Sequence, residues 1–544
     1  MKRLRAPTLK VTMWLALGCS ESSTPGVGPD ARGPDSDVVD AVPRPDTTSD
    51  ATTRDAPDLD SSVPDSSVMT PEVGFSMDGP GDVETTDAVE AQDAGFEDAR
   101  VICPPPQIPP PDPDPWAMGL PDIAPPTFRE VRTGHTDQYL VGPGGVAEIG
   151  IRLNWGGTVV FFGMQGQPGS NTIDANDTGR EVQVALYDPE RMFQGCAHDA
   201  SCQGTNPCGD SITFLGWDPV QGGDECGRGA TATVRLDGAR MIATLTPLQW
   251  NPDWAAPDCR RSGCSGAGDP VGVTYELGFR FVHSNVVELS MQLDSSEAID
   301  HAATTQEFPT LYAAKGSPGT DLPVLLDPTG AEIIIDQLAN DGFRTRTFQS
   351  PSPWVTWQHA ARDYGVGLRH DNAVALFQAW SGDGSSAPYF HNVRAVQSFG
   401  IKAGGTVRGR AYLALGSFDT IGTLLEDLLM RRAPFGTLDS PASGAALSVG
   451  PNGSVPISGW VLDDGGSVVI RAVVDGSELA TFPRGQARPD VCEVYPGYAE
   501  CPNVGFAGTV TLPGLAPCGH SLELIAEDSN GNLSVIGRRT IEVF

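Results

Sequence analysis

The chain is predicted to be all-β, with a large two-sheet β-sandwich, or supersandwich, over residues 116–435 and a small β-sandwich over 436–544. Three observations predict this. Segments such as "VAEIGIRLNW", "TVVFFGM", "EVQVALY" and "YELGFRFV" are rich in β-branched and aromatic residues and partly alternate apolar with polar positions. Turn chemistry joins consecutive segments into hairpins. A single later stretch has helical spacing, and everything before residue 116 lacks the apolar content to build a core.

The hairpins come first in the argument. "TATVRLDGARMIATLTPLQW" places Asp237-Gly238 at a turn suited to positive φ, and "LGFRFVHSNVVELSMQL" turns at Ser284-Asn285. The one helix has Ser417 as N-cap and Ile421, Leu424, Leu425, Leu428 and Leu429 on one face. Many strands and one late helix exceed a simple sandwich, so two large packed sheets are the economical solution.

The amino terminus sets the compartment. Lys2, Arg3, Arg5 and Lys10 form a positive region, and Val11 to Leu17 is an apolar run far too short to span a bilayer. The run ends in Ala16-Leu17-Gly18-Cys19, which resembles the lipobox of bacterial lipoproteins, although the order of Ala16 and Leu17 is inverted. The resemblance implies a signal peptide at 1–19, cleavage before Cys19 and acylation of that cysteine, an anchor strengthened by roughly 0.8 kcal/mol per buried methylene. The same resemblance implies, through Ser20 after the cysteine, the outer membrane. The protein is therefore expected to be an exported, membrane-anchored lipoprotein on the surface of a Gram-negative bacterium, with the membrane as a partner through its lipid.

From Glu21 to Arg100 the chain has 20 Asp plus Glu against four Arg, interleaved with Pro, Ser, Thr and Ala. Charge repulsion and proline keep such a segment extended, so 20–115 reads as a disordered tether that runs into the polyproline stretch "CPPPQIPPPDPDPW". The formal net charge of −34 and the lack of a basic stripe argue against nucleic acid. Without a P-loop or a G-x-G-x-x-G opening a helix, no nucleotide is expected, and no G-x-S-x-G elbow suggests a hydrolase triad.

Beyond Cys19 there are ten cysteines. Cys196, Cys202, Cys208, Cys226, Cys259 and Cys264 lie amid Gly, Asp, Asn and Pro, and only His198 is close, so disulfides bracing long loops fit better than zinc. Cys492 and Cys501 bracket "CEVYPGYAEC" and are expected to pair.

Within the central region, "NTIDANDTGREVQVALYDP", "GWDPVQGGD", "TPLQWNP", "TTQEFPTLY" and "GVGLRHDNAVALF" are similar to segments of galactose-mutarotase-like and polysaccharide-lyase-like supersandwich proteins. The resemblance implies a sheet face that handles sugars, and for an enzyme a polysaccharide lyase, glycosidase or mutarotase-like activity. Sugar sites need aromatic faces and planar polar groups. Trp250, Asn251 and Trp254 form one such cluster, and Trp354, Trp357 and His359 another, with Arg362 nearby. His301 and Glu307 are candidates for acid and base, with His359 as a second acid. The alternative for each is packing: tryptophans in a sandwich core, Glu307 holding a loop.

Asp174, Asn176 and Asp177 in "DANDTGR" offer oxygen ligands for a structural Ca2+, against an acidic turn capped by its own side chains. No other cofactor is expected. The region 436–544 resembles a bacterial Ig-like module through Gly459-Trp460, "VVDGSEL", "ARPDVCEVYPGY", Gly505-Phe506 and "CGHSLELIAEDSNGN". There, Trp460, Phe506 and Leu522 are expected in the core. Two functions remain at this stage. One is a surface lipoprotein whose central domain binds, and in an enzymatic version cleaves, carbohydrate. The other is a structural or adhesive surface protein contacting proteins through disulfide-braced loops and the Ig-like module.

Overall fold

The computed structural model describes residues 110–116, 127–132, 134–175, 181–188, 217–218, 230–249, 270–316, 320–339, 343–383, 389–445 and 447–544. The signal peptide, Cys19, most of the tether and the six cysteines between 196 and 264 lie outside them.

Among the described residues the body is almost wholly β. An eight-stranded sheet runs in the spatial order Val324–Leu326, Trp354–Gln358, Gly365–His370, Thr406–Gly416, Val286–Ser295, Val273–His283, Arg240–Leu245, Thr233–Asp237. A seven-stranded sheet runs Gln337–Leu338, Arg344–Gln349, Leu376–Asp383, Tyr389–Ala395, His301–Tyr312, Gln397–Ile401, with Val182–Ala185 also paired to His301–Tyr312. A four-stranded sheet spans residues between Thr127 and Met164. Both predicted hairpins form: Asp237 pairs with Arg240 around Gly238 at φ 57°, and His283 pairs with Val286.

The three sheets share one core. Leu289, Leu413 and Leu368 from the eight-stranded sheet, Leu311, Phe377 and Val393 from the seven-stranded one, and Ile149 and Phe162 from the third are all fully buried in it. Gly365–His370 is buried along its whole length because its outer side carries helix α1, Phe418–Arg431. The Ser417 hydroxyl caps α1 by accepting the Thr420 amide at 3.3 Å. Ile421, Leu425 and Leu428 then pack on Trp354, Tyr412 and Val286. Gly367 admits the helix at this distance, since a Cβ there would stand 2.5 Å from the Ile421 side chain.

The C-terminal part is a second, smaller sandwich. A three-stranded sheet (Phe435–Ser440, Ser454–Leu462, Gly505–Thr511) faces a five-stranded one built on Leu533–Val543 and Gly519–Glu527. Phe506 and Leu522 are in its core. Trp460 is buried too, in a second core cluster with Phe435, Val491, Tyr495 and Tyr498. Helix α2, Pro489–Val494, opens a loop closed by the Cys492–Cys501 disulfide, as expected. Cys518 is also disulfide-bonded; its partner lies outside the described residues.

Candidate functional site

The residues singled out by sequence do not converge. His301 is 6% exposed, with Nδ1 2.8 Å from Asp188 Oδ2 and Nε2 3.1 Å from Glu297 Oε2. It lines a small cavity with Leu186, Tyr187, Gln306 and Ile401. Glu307 shares its strand, but six residues of extended chain amount to about 20 Å. Glu307 meets other groups: its Oε1 accepts the Tyr187 hydroxyl at 3.2 Å and Arg394 Nη1 at 3.2 Å. His301 and Glu307 are therefore not an acid–base pair.

His359 and Arg362 sit in the turn after Trp354–Gln358, on the eight-stranded sheet. His359 Nδ1 is 3.2 Å from Asp363 Oδ1. Arg362, at φ 61°, donates to the Gly330 carbonyl at 3.0 Å. These are turn contacts, and they set His359 apart from both other candidate catalytic residues.

Trp354 and Trp357 are each 1% exposed. Trp354 donates its indole N–H to Glu426 of α1 at 2.6 Å, and Trp357 stacks in the core on His391. Burial removes both ring faces from any ligand, which corrects their assignment as stacking platforms. Trp250 and Asn251 lie outside the described residues. So do Asn176 and Asp177; Asp174 is buried, its amide bonded to the Tyr312 carbonyl at 3.1 Å. Among the described residues no group of three or more metal-ligating side chains is assembled.

The structure instead builds a site on the outer face of the seven-stranded sheet. Phe377, Ala379, Val393, Ala395 and Leu311 point into the core. Strand side chains alternate between faces, so Gln378, Trp380, Asn392, Arg394, Thr310 and Tyr312 share the other. The register aligns them in two cross-strand rows, with Thr345, Trp380, Asn392 and Tyr312 in one, and Thr347, Gln378, Arg394 and Thr310 in the next. Neighbours within a row stand about 5 Å apart.

The first row leads to an aromatic patch. Phe343 packs edge-on to Trp380 with centroids at 6.4 Å and lies 5.4 Å from Phe390, which is 5.5 Å from Tyr312. All four rings are partly exposed. The second row is polar and locked. Arg394 donates through Nη2 to Gln378 Oε1 at 2.8 Å and through Nη1 to Glu307, which also holds Tyr187. Between the two patches stands Asn392, 5% exposed, whose Oδ1 has no hydrogen-bond partner. A buried acceptor left unmatched costs about 1–3 kcal/mol; this one is enclosed beneath the surface, level with the Trp380 and Tyr312 side chains.

Of these residues sequence reasoning had named only Glu307. The available signal was alternation: "LFQAWSGD" and "YFHNVRA" interleave core residues with planar polar and aromatic ones at period two.

No protein-family model matches the chain, and no curated protein sequence matches it. Among solved structures it is similar to a galactose mutarotase-like protein from Clostridium acetobutylicum, at 8% identity and TM-score 0.33, covering 54% of this chain and 99% of that one. It is also similar to a polysaccharide lyase at 8% identity and TM-score 0.27, covering 78% of this chain. A 4-alpha-glucanotransferase from Thermococcus litoralis is similar at 7% identity and TM-score 0.29. The chain spans about half of the lyase, 47% of its length, and 40% of the glucanotransferase. The likeness is a weak one of fold, in the central β region.

Proposed function

We propose that the outer face of the seven-stranded sheet binds carbohydrate, in a protein exported through its leader and anchored by lipid on Cys19 at the outer membrane. The observation that carries the binding reading is the row Trp380–Asn392–Tyr312. Apolar ring faces of sugars stack on aromatic side chains, and hydroxyls take hydrogen bonds from planar polar groups. This row supplies two aromatics flanking a buried amide with an unmatched acceptor. Arg394, Gln378 and Glu307 hold one another in place beside it, so a ligand meets a preorganised surface. Four strands at about 4.8 Å spacing make this face roughly 15 Å across, room for a short oligosaccharide. The disulfides favour an oxidising compartment.

The test is a glycan array followed by calorimetry on the chosen ligand, using the mature chain and the variants Trp380→Ala and Asn392→Ala. Retention by the parent and at least tenfold weaker binding by both variants, with far-UV circular dichroism and a cooperative unfolding transition retained, is the expected result. A parent that retains no glycan, or variants that bind as well as the parent, overturns the reading. Reducing-sugar and unsaturated-product assays on the same ligand ask whether binding is followed by cleavage. Mass spectrometry of the mature chain is expected to find a lipid-modified Cys19.

A further inference from the structure

The last residues of the proline-rich stretch, 110–116 ("PPDPDPW"), are bound to the folded body at two points. Asp112 Oδ1 accepts the Arg538 amide at 2.7 Å, and its Oδ2 takes Arg539 Nη1 at 2.6 Å. Both arginines belong to the C-terminal sandwich. Four residues on, the Trp116 carbonyl accepts Arg410 Nη2, and the Trp116 ring lies 4.2 Å from the Arg410 guanidinium. Arg410 belongs to the eight-stranded sheet of the central sandwich. The same ring reaches Tyr495 of the disulfide loop at 5.8 Å, and the Tyr495 hydroxyl accepts Arg408 Nη1 at 3.1 Å. Asp114 steadies the turn by accepting the Trp116 amide at 2.9 Å.

The two guanidiniums that the segment meets are buried ones. Arg539 is 1% exposed, its other donors go to the Pro441 and Leu438 carbonyls, and among the described residues its carboxylate partner is Asp112. Arg410 is also buried, and its Nε and Nη1 have no partner. Its charge is felt by the Glu288 and Asp371 carboxylates, but buried donors left without acceptors are costly. Each sandwich thus carries an arginine whose exclusion from water depends on the same seven residues.

We propose that residues 110–116 are a clasp that fastens the central and C-terminal sandwiches together. Asp112 neutralises the C-terminal side, Trp116 covers the central side, and proline keeps the chain between them extended at little entropic cost. Without the clasp, water enters at Arg410 and Arg539 and the seam loosens while each sandwich keeps its own core.

The experiment is hydrogen exchange on the full-length chain and on Asp112→Asn and Trp116→Ala. The expected result is exchange at least tenfold faster at the Arg538 amide and across 408–412 and 495–498, with 392–394 unchanged. A synthetic peptide of residues 108–118 added to Trp116→Ala is expected to restore protection. Unchanged exchange at the seam in both variants overturns the clasp, and so does acceleration of equal size throughout the chain. Should Trp116→Ala fail to fold, Asp112→Asn, which keeps the acceptor and removes only the charge, decides.

Discussion

The indole of Trp357 and the imidazole of His391 stack across the two sheets of the central sandwich, with centroids 3.8 Å apart and planes 22° from parallel. Desolvation, with a smaller contribution from the Lys315 charge, pushes the His391 pKa down to about 3. His370 is lowered to about 3 as well, by burial first and Arg369 second. Both histidines are thus neutral in the folded state and protonate on unfolding below about pH 6.5. The unfolded chain binds more protons in that window, so stability falls as pH drops from 6.5 towards 3, by up to about 5 kcal/mol per histidine. His391→Phe keeps an aromatic partner for Trp357 and removes one titration. Urea midpoints measured from pH 7 to 4 are expected to show a shallower acid slope in that variant; an unchanged slope refutes the assignment.

The two tryptophans Trp357 and Trp380 separate stability from binding. Trp357 is a fully buried core residue, so Trp357→Ala leaves a cavity and is expected to cost about 3–5 kcal/mol. Trp380 is partly exposed on the outer sheet face, and Trp380→Ala is expected to cost about 1–2 kcal/mol while abolishing glycan retention. Denaturant unfolding paired with ligand calorimetry reads both quantities. A reversed pattern, with Trp357→Ala stable and non-binding, removes the site from this face.

The strand content and the helix were legible because they follow from periodicity and caps local to the chain. Ser417 with Ile421, Leu425 and Leu428 specifies α1 without reference to anything else, and Asp237-Gly238 specifies its hairpin. The site was not legible in the same way. Its rows join Thr345, Trp380, Asn392 and Tyr312, residues brought level by sheet register that no single window contains. The tryptophan-rich stretch around Trp354 and Trp357 misled for the complementary reason. Clustering in sequence says nothing about burial, and here α1 and the opposite sheet cover both rings. The clasp escaped because proline-rich composition predicts an extended chain, which is true of residues 110–116, and is silent on what the extended chain lies against.

Asp463 gives a pH effect of the opposite sign. Desolvation, then the neighbouring Asp464 charge, raises its pKa to about 6. The folded state therefore holds a proton that the unfolded state releases near pH 4, and stability declines as pH rises from about 4 through 6. The two-unit shift corresponds to about 3 kcal/mol at neutral pH. Asp463→Asn removes the ionisation and leaves an oxygen to accept the Gly466 amide, now at 2.9 Å from Oδ2. It is expected to stabilise the protein at pH 8 and to have no effect below pH 4. Thermal melts across this range test the crossover, and a variant that is destabilised at pH 8 contradicts it.

The Cys492–Cys501 loop matters for what it delivers to the seam. It presents Tyr498, whose hydroxyl donates to Asp371 Oδ2 at 3.2 Å, and the Pro496 carbonyl, which accepts Asn372 Nδ2 at 3.1 Å. Asp371 also binds Arg432 and the Tyr412 hydroxyl, so one short loop completes a buried charge network of the central sandwich. A crosslink with a sequence separation of 9 stabilises by roughly 2.5–3 kcal/mol through loop entropy. Removing it also frees the two polar contacts to exchange with water. Cys492→Ala/Cys501→Ala is expected to lose at least that entropic amount, with faster hydrogen exchange at 371–372 as well as within the loop. If exchange rises within the loop alone, the loop is a local brace and Asp371 is held by Arg432 and Tyr412 without its help.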